Sequence, residues 1–461
     1  MARTGDHRND TRIKRRHAFV GACLVATLSG CATYKPAPLS QPDAVLSKPD
    51  LAILSTDAAK IDRPWLQPQS IDLSLSLTPN ALAVIAVLEN PDLKALRAKT
   101  GVTDAQAFAA RLLPDPTAQL GFDKLLSGPD AFNGLSGQLG IDLNTLRTAR
   151  VTRESGEAAK RQVRLDLAWA EWQTAGQARL QGARIVALEA QLGLARLTAG
   201  SADRLLLAVQ HAAGRGDLSA SEVDARRLAA LDASDKLRTA TRDLTTARGE
   251  LNKLLGLPPE TILRLATAPA PAIAPSTATL VAQAIVRRLD LQALRAGYEA
   301  AEADVHRAIL SQFPNLSLTV AGARDTANNI TLGPQIGFTL PLWNRNRGGI
   351  AVAQATRAQL RAEYDARLFQ TRAEIAAAVA GLATISEQRV ELLNNLPAIA
   401  RFADRSARAA RRGDLAPAIA ETSAQSLRDR RTTLLQLDQQ ATEATIALEL
   451  LSGGPSEGWT R

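Results

Sequence analysis

The stretch Gly333-Pro-Gln-Ile-Gly-Phe-Thr-Leu-Pro-Leu-Trp-Asn-Arg-Asn-Arg-Gly-Gly349 changes character half-way along. From Gln335 to Leu340 it alternates, with Ile336, Phe338 and Leu340 apolar and Gln335 and Thr339 polar between them. That period of two predicts a strand with one greasy and one polar face. Pro341 ends the strand because it has no N–H to give to a ladder. Asn344 or Asn346 can then cap a helix, which the following Ala-, Leu- and Arg-rich pattern carries from about 345 to 410.

The same plan occurs earlier in the chain. Gln138-Leu-Gly-Ile-Asp-Leu143 matches Gln335-Ile-Gly-Phe-Thr-Leu340, Ala213-Gly-Arg-Gly-Asp-Leu218 matches Ala410-Arg-Arg-Gly-Asp-Leu415, and Leu254-Leu-Gly256 matches Leu451-Ser-Gly453. These three pairs share an offset of 197 residues, and Asn90–Ala98 matches Arg288–Ala296 at 198. Ordered matches at a near-constant offset indicate a tandem duplication. Each copy reads as helix, two strands, very long helix, turn, long helix. The helices are expected near 79–112, 145–212 and 217–256, then 278–312, 345–410 and 415–452. Strands are expected at Thr117–Phe122, Gln138–Leu143, Asn315–Val320 and Gln335–Leu340, with hairpin loops at 125–134 and 322–333.

Leu434, Leu437, Ala441, Ala444, Leu448 and Leu451 are spaced 3, 4, 3, 4, 3, a heptad seam that calls for a partner helix. Leu188, Leu192, Ala195 and Ala199 repeat the spacing, and Leu237, Leu251 and Leu254 sit at corresponding places in the first copy. The fold class expected is mainly α with a membrane β part: long coiled-coil helical hairpins plus four two-faced strands. Four strands cannot close a membrane barrel, which needs at least about eight, and an open edge is not tolerated in lipid. If these strands cross a membrane, several chains must share one barrel.

The first residues carry a different message. Arg12, Lys14, Arg15 and Arg16 precede an apolar run from Ala18 to Leu28, too short to span a bilayer and typical of a secretory signal. Leu28-Ser29-Gly30-Cys31 resembles a bacterial lipobox, which implies cleavage after residue 30 and lipidation of Cys31. Ala32, not Asp, follows, which points to the outer membrane. The domain reading is a signal peptide at 1–30, a lipidated extended segment at 31–77, a first repeat at 78–257, a Pro-rich linker at 258–277, a second repeat at 278–453 and a tail at 454–461. The prolines of 32–77 predict extended chain there.

Composition excludes several classes. The only cysteines are Cys23 and Cys31, so the mature body forms no disulfide and no thiolate metal site. Histidine is sparse, with His211 and His306 far apart, and no phosphate loop or nucleophile motif occurs. No enzyme, metal or cofactor reading follows. The formal charge is +9, and the first thirty residues hold six Lys or Arg and two Asp, so about +5 remains for the rest. Those arginines are interspersed with acids along helices, which reads as a solvated face and not a nucleic-acid patch. Trp169 and Trp172 are read as packing anchors, and Trp343 as an interfacial aromatic.

With signal, lipobox, duplication, alternating hairpins and heptad helices in view, the chain resembles the TolC-like outer membrane efflux protein family over roughly residues 78–453. Gly333–Gly349 is similar to the family's last strand and its turn into a helix. Asp142-Leu-Asn-Thr-Leu-Arg147 is a looser first-copy counterpart, and Thr33-Tyr-Lys-Pro-Ala-Pro38 looks like the start of lipidated members. The resemblance implies a homotrimer with a twelve-stranded barrel above a twelve-helix α-barrel, anchored by lipid in the outer membrane of a Gram-negative bacterium. It implies a passive exit duct of a tripartite pump, whose partners are a periplasmic adaptor (membrane fusion) protein and an inner-membrane pump of the resistance-nodulation-division type. The alternatives are a lipid-anchored periplasmic coiled-coil scaffold without a pore, and the outer-membrane duct of a protein secretion system. The two Gly-Asp-Leu turns would lie at the periplasmic tip. There Gly216 and Gly413 can end one helix and Asp217 and Asp414 can cap the next, with Ser219 and Glu222 fitting a capping box. Arg215, Arg411 and Arg412 with the two Asp residues are gate candidates.

Overall fold

The structure, a computed structural model, describes residues 34–267 and 273–456. The signal region and Cys31 lie outside the described residues, as does the end of the tail. The chain divides into two units, Met1–Ser47 and Lys48–Arg461. The described part of the first is extended apart from the short helix α1 (Pro42–Leu46), with Pro42 in its first turn.

The second unit opens with α2 (Leu51–Ala59), where extended chain was expected. The prolines at 49 and 64 flank this helix and do not interrupt it. Asp50 caps it by accepting from the N–H groups of Ala52 and Ile53. A strap then runs to β1 (Ser76–Leu77). The first repeat follows as α3 (Pro79–Glu89), α4 (Pro91–Ala109), β2 (Thr117–Asp123), β3 (Gly134–Asp142), α5 (Leu143–Gly214) and α6 (Ala220–Leu254). The linker contributes β4 (Arg264–Leu265), which pairs in parallel with β1. The second repeat is α7 (Thr277–Arg287), α8 (Leu289–Leu310), β5 (Leu316–Arg324), β6 (Ile330–Phe338), α9 (Arg347–Arg411) and α10 (Pro417–Ser452).

Each repeat's first helix is broken, which the sequence pattern did not suggest. In the first copy Pro91 cannot continue the helix, and Asn90 leaves it at ψ 124° while capping Leu93 N–H. In the second copy the break falls at Arg288, ψ 121°, without a proline. Both elbow side chains reach across to the same place in the duplication. Asn90 Nδ2 donates to the Leu254 carbonyl at 2.9 Å, and Arg288 Nη1 to the Leu451 carbonyl at 3.5 Å.

The duplication extends to the core. One cluster contains Leu82, Ala86, Ala178, Ile185, Leu244 and Leu251, all buried. The other consists of Leu280, Ala284, Ile375, Leu382, Ala441 and Leu448, the same six positions moved by 197 or 198 residues. The seam residues Ala441 and Leu448 belong to this second cluster, with Ala444 and Leu451 packed against it, and Leu437 is buried further along. Burying one such Leu or Ile contributes about 1.5–3 kcal/mol. The first cluster is larger because the strap adds Leu54, Ile61, Leu66, Ile71 and Leu77. As a result Trp172 is buried against Trp65, ring centroids 5.1 Å apart, while its second-copy counterpart Phe369 is exposed.

The α5 helix has 72 residues, about 110 Å at 1.5 Å per residue. Pro397 lies inside α9, and its counterpart inside α5 is Gly200. The four longer strands form one antiparallel sheet in the order β2-β3-β5-β6. The second hairpin is tighter than expected. Its strands run to Arg324 and from Ile330, and Asn328 supplies the positive φ, 68°, that closes the turn.

Candidate functional site

The sheet's register sorts its side chains into two faces. One carries the rows Thr117, Gly140, Thr319, Gln335; Gln119, Gln138, Ala321, Gly333; and Gly121, Ser136, Ala323, Thr331. These rows are small, polar and uncharged, and the end rows of the same face add Asp123 opposite Gly134 and Asp142 opposite Ser317. The other face carries Ala118, Leu139, Val320, Pro334; then Ile141, Leu318, Ile336; then Phe122 and Leu135 beside Arg324 and Ile330. Leu120, Leu332 and Ile336 on that face are 91%, 80% and 68% exposed, far more than water alone would favour for a contiguous patch. The outer edges of β2 and β6 have no strand partner among the described residues.

At the other end of the long helices, the two tip turns are built alike. Gly216 and Gly413 take φ +84° and +83°, the left-handed dihedral that glycine accepts most readily. The N–H of Asp217 donates to the Ala212 carbonyl, and that of Asp414 to Ala409, each at 3.0 Å. Each turn closes an ion pair across its glycine: Arg215 Nε to Asp217 Oδ2 and Arg412 Nε to Asp414 Oδ2, each 3.0 Å. The expected capping box is present, with Ser219 and Glu222 exchanging bonds. Asp217 and Asp414 do not cap the next helices, as the sequence suggested they could. Their carboxylates are already held by the arginines, and α10 starts at Pro417 with no side-chain cap. Arg411 has no side-chain partner among the described residues.

Asn346 stands at the start of α9 in a left-handed conformation, φ 53°. It makes no side-chain cap. Its amide donates instead to the Ala308 carbonyl at 2.8 Å, tying the strand exit to the end of α8.

A buried ionic array lies midway along α5, and nothing in the sequence reading singled it out. Glu171 is 1% exposed and accepts from Arg63 Nε at 2.6 Å and Arg97 Nη2 at 2.7 Å. The Arg63 guanidinium is held above its usual range chiefly by this bond. Nearby, Asp290 takes Arg288 at 2.7 Å and Arg367 at 2.8 Å. Arg288 stacks over Trp169, 5.0 Å from the ring centroid. Burial pushes the Asp290 carboxyl up, but the two guanidiniums outweigh it and hold the group below its ordinary range. Arg179 reaches Glu449 at 2.6 Å. Glu171, Asp290 and Glu449 are each matched by arginine, whereas burial and the neighbouring Asp290 charge push the Asp166 carboxyl up. Among the described residues no three His, Cys, Asp or Glu gather as metal ligands, and no helix is long and apolar enough to cross a membrane.

Comparison with known proteins decides what this geometry belongs to. A family model for the outer membrane efflux protein matches residues 280–454. The chain is 30% identical over 369 residues to the pyoverdine export outer membrane protein OpmQ of Pseudomonas aeruginosa, covering 72% of this chain and 73% of that protein. It is an outer membrane efflux protein. Among solved structures, VceC of Vibrio cholerae shares the fold at TM-score 0.67 and 17% identity, over 82% of this chain and 96% of its own. The CmeC outer membrane channel of Campylobacter jejuni does so at 0.67 and 14%, over 92% and 94%. The outer membrane efflux protein fold, mainly helical with a smaller antiparallel sheet, is therefore the fold of this chain. The matched residues 280–454 nearly coincide with the second half of the internal duplication.

Proposed function

We propose that this chain is the outer-membrane channel subunit of a tripartite efflux pump, a passive duct whose cargo is driven by an inner-membrane transporter. One observation carries the reading: the sheet is greasy on one face, polar on the other with Asp123 and Asp142 at its two ends, and without a strand partner at both edges among the described residues. Lipid outside and water inside call for that pattern. Unpaired edges in a bilayer call for neighbours of the same kind. Three chains would supply twelve strands and close the barrel. The same threefold arrangement would place the α5–α6 and α9–α10 hairpins around a periplasmic tunnel, with tip turns at its entrance. A scaffold without a pore needs no such sheet.

Lipidation of Cys31 after cleavage at residue 30 would anchor each chain, and acyl chains hold firmly at about 0.8 kcal/mol per buried methylene. Cys31→Ser should abolish acylation while leaving assembled channel. Intact-mass measurement showing the lipid still attached would remove this assignment. A periplasmic adaptor and a pump of the resistance-nodulation-division type are the partners this architecture suits. The Pseudomonas aeruginosa relative is named for pyoverdine export. By analogy a small-molecule cargo is the reading adopted here, tested by comparing export of such compounds in deletion and complemented strains.

The strand assignment is tested by charge placed on alternate residues. Leu318→Lys puts an ammonium on the apolar face, where a midplane cation costs about 2–4 kcal/mol, and should deplete trimers in the outer membrane. Thr319→Lys, one residue along, faces the polar side. It should assemble normally and shift the conducting pore toward anions. Equal effects of the two substitutions would overturn the barrel.

A further inference from the structure

The outward rim of the apolar sheet face carries two cations that form no ion pair among the described residues. The apolar-face positions of β5 run Leu316, Leu318, Val320, Gly322 and end on Arg324. The register seats Arg324 between Leu135 of β3 and Ile330 of β6, with Phe122 next in the row. Arg324 is exposed and has no hydrogen-bond or ion-pair partner among the described residues. The acids at this rim, Asp123, Asp130 and Asp325, keep their charge, but none forms an ion pair with Arg324 or Lys124 among the described residues. Asp325 accepts from the N–H groups of Ala327 and Asn329 and from the Asn329 amide. Asp130 accepts from the Thr326 hydroxyl. On the first hairpin Lys124 follows Phe122 by two positions, about 7 Å further out at a strand's rise per residue. It too is exposed and without a partner among the described residues.

A guanidinium on the lipid side of a barrel is costly at mid-depth but costs only about 0–1 kcal/mol near the interface. There its stem can lie along apolar neighbours while its head reaches the headgroup layer. Because the helices leave the sheet from the opposite end, the hairpin loops point outward if the chain is an outer-membrane channel. We infer that Arg324 and Lys124 form a binding surface for the phosphorylated glycolipid of the outer leaflet. Arg324 supplies a planar fork suited to a phosphate, Lys124 supplies a second charge, and Phe122, Leu135 and Ile330 lie against acyl chains. A free anion would not need that apolar row. The inference rests on the channel reading, which supplies the orientation.

The test uses the full-length channel in detergent, titrated with bis-phosphorylated lipid A, dephosphorylated lipid A and phosphatidylglycerol. Bound lipid is read by native mass spectrometry. The wild type should retain the bis-phosphorylated form at least about tenfold better than either other lipid, a difference of about 1.4 kcal/mol. The Lys124→Gln, Arg324→Gln double variant should lose that preference, while Arg150→Gln, on an exposed helical cation, should keep it. An undiminished preference in the double variant, or equal binding of phosphatidylglycerol, overturns the inference. Planar-bilayer conductance of the same preparations separates the two levels. Protein that conducts without a phosphate preference refutes the lipid site alone, and protein that never inserts refutes the channel reading and the site with it.

Discussion

Glu171→Gln is the most informative single change in the helical body. The carboxylate is sealed from water, and two guanidiniums spend four N–H bonds on it, from 2.6 to 3.1 Å. Gln is nearly the same size, so packing of Trp172 against Trp65 is kept. What changes is charge: one acceptor becomes an NH2 group facing an arginine. Breaking a buried pair costs about 3–5 kcal/mol. Arg63 and Arg97 are 37% and 30% exposed, so they can partly recover hydration, and the lower end of that range applies. Arg63 belongs to the strap, and the loss should therefore fall on strap docking before it reaches the helices. About 3 kcal/mol corresponds to roughly a hundredfold larger open population. Limited trypsinolysis after Lys60 reads that population when opening is fast relative to cleavage. Cleavage should rise about a hundredfold with the helical circular dichroism unchanged. A rise under threefold would show that the strap is held by Leu54, Ile61 and Leu66 alone and that the ionic clasp adds nothing.

Asp290 gives a pH test. Its folded pKa lies below the ordinary 3.8, so the unfolded chain takes up the proton first as pH falls. The stabilising contribution is thus complete above about pH 4 and is lost as pH drops through the folded value. Asp290→Asn should lower stability at pH 7 and flatten that acid limb in thermal melts, and an unchanged limb would count against the Arg288 and Arg367 pairing. At the tip, Asp414→Ala combined with Arg412→Ala leaves net charge unaltered because the two neutralise each other within one turn. Single-channel conductance should still rise as the turn loosens, and an unchanged conductance in lipid bilayers would exclude this turn from gating.

The duplication was legible because its landmarks are local. A Gly-Asp-Leu turn, a strand alternation and a heptad seam each declare themselves within about five turns of helix or less, and the core positions follow at nearly the same offset. The Arg288 elbow was not legible. Nothing in Arg-Leu-Asp-Leu forbids a helix, and the break depends on a guanidinium reaching Asp290 and the carbonyl of Leu451, 163 residues away. Glu171 was missed for a similar reason. In a helix rich in arginine a glutamate looks like one more surface charge, and its partner Arg63 is 108 residues distant. Its place between Trp169 and Trp172 was the available hint, since a charge among large rings needs a buried counter-charge. The α2 helix was hidden by weighing prolines as composition, when their positions at 49 and 64 mark its limits. The tip aspartates were assigned to the wrong helix because an Asp after Gly suits a cap equally well, and only geometry shows that Arg215 and Arg412 take them.

Pro397 donates no hydrogen bond to the preceding turn, so α9 has a missing rung some fifteen residues before its tip. Gly200 weakens α5 at the matching height, at about 1 kcal/mol relative to alanine. The softness is therefore paired, one compliant joint in each half of the duplication. A torque applied to either tip is absorbed there before it reaches the sheet, so the tip turns can be displaced while the strand register stays fixed.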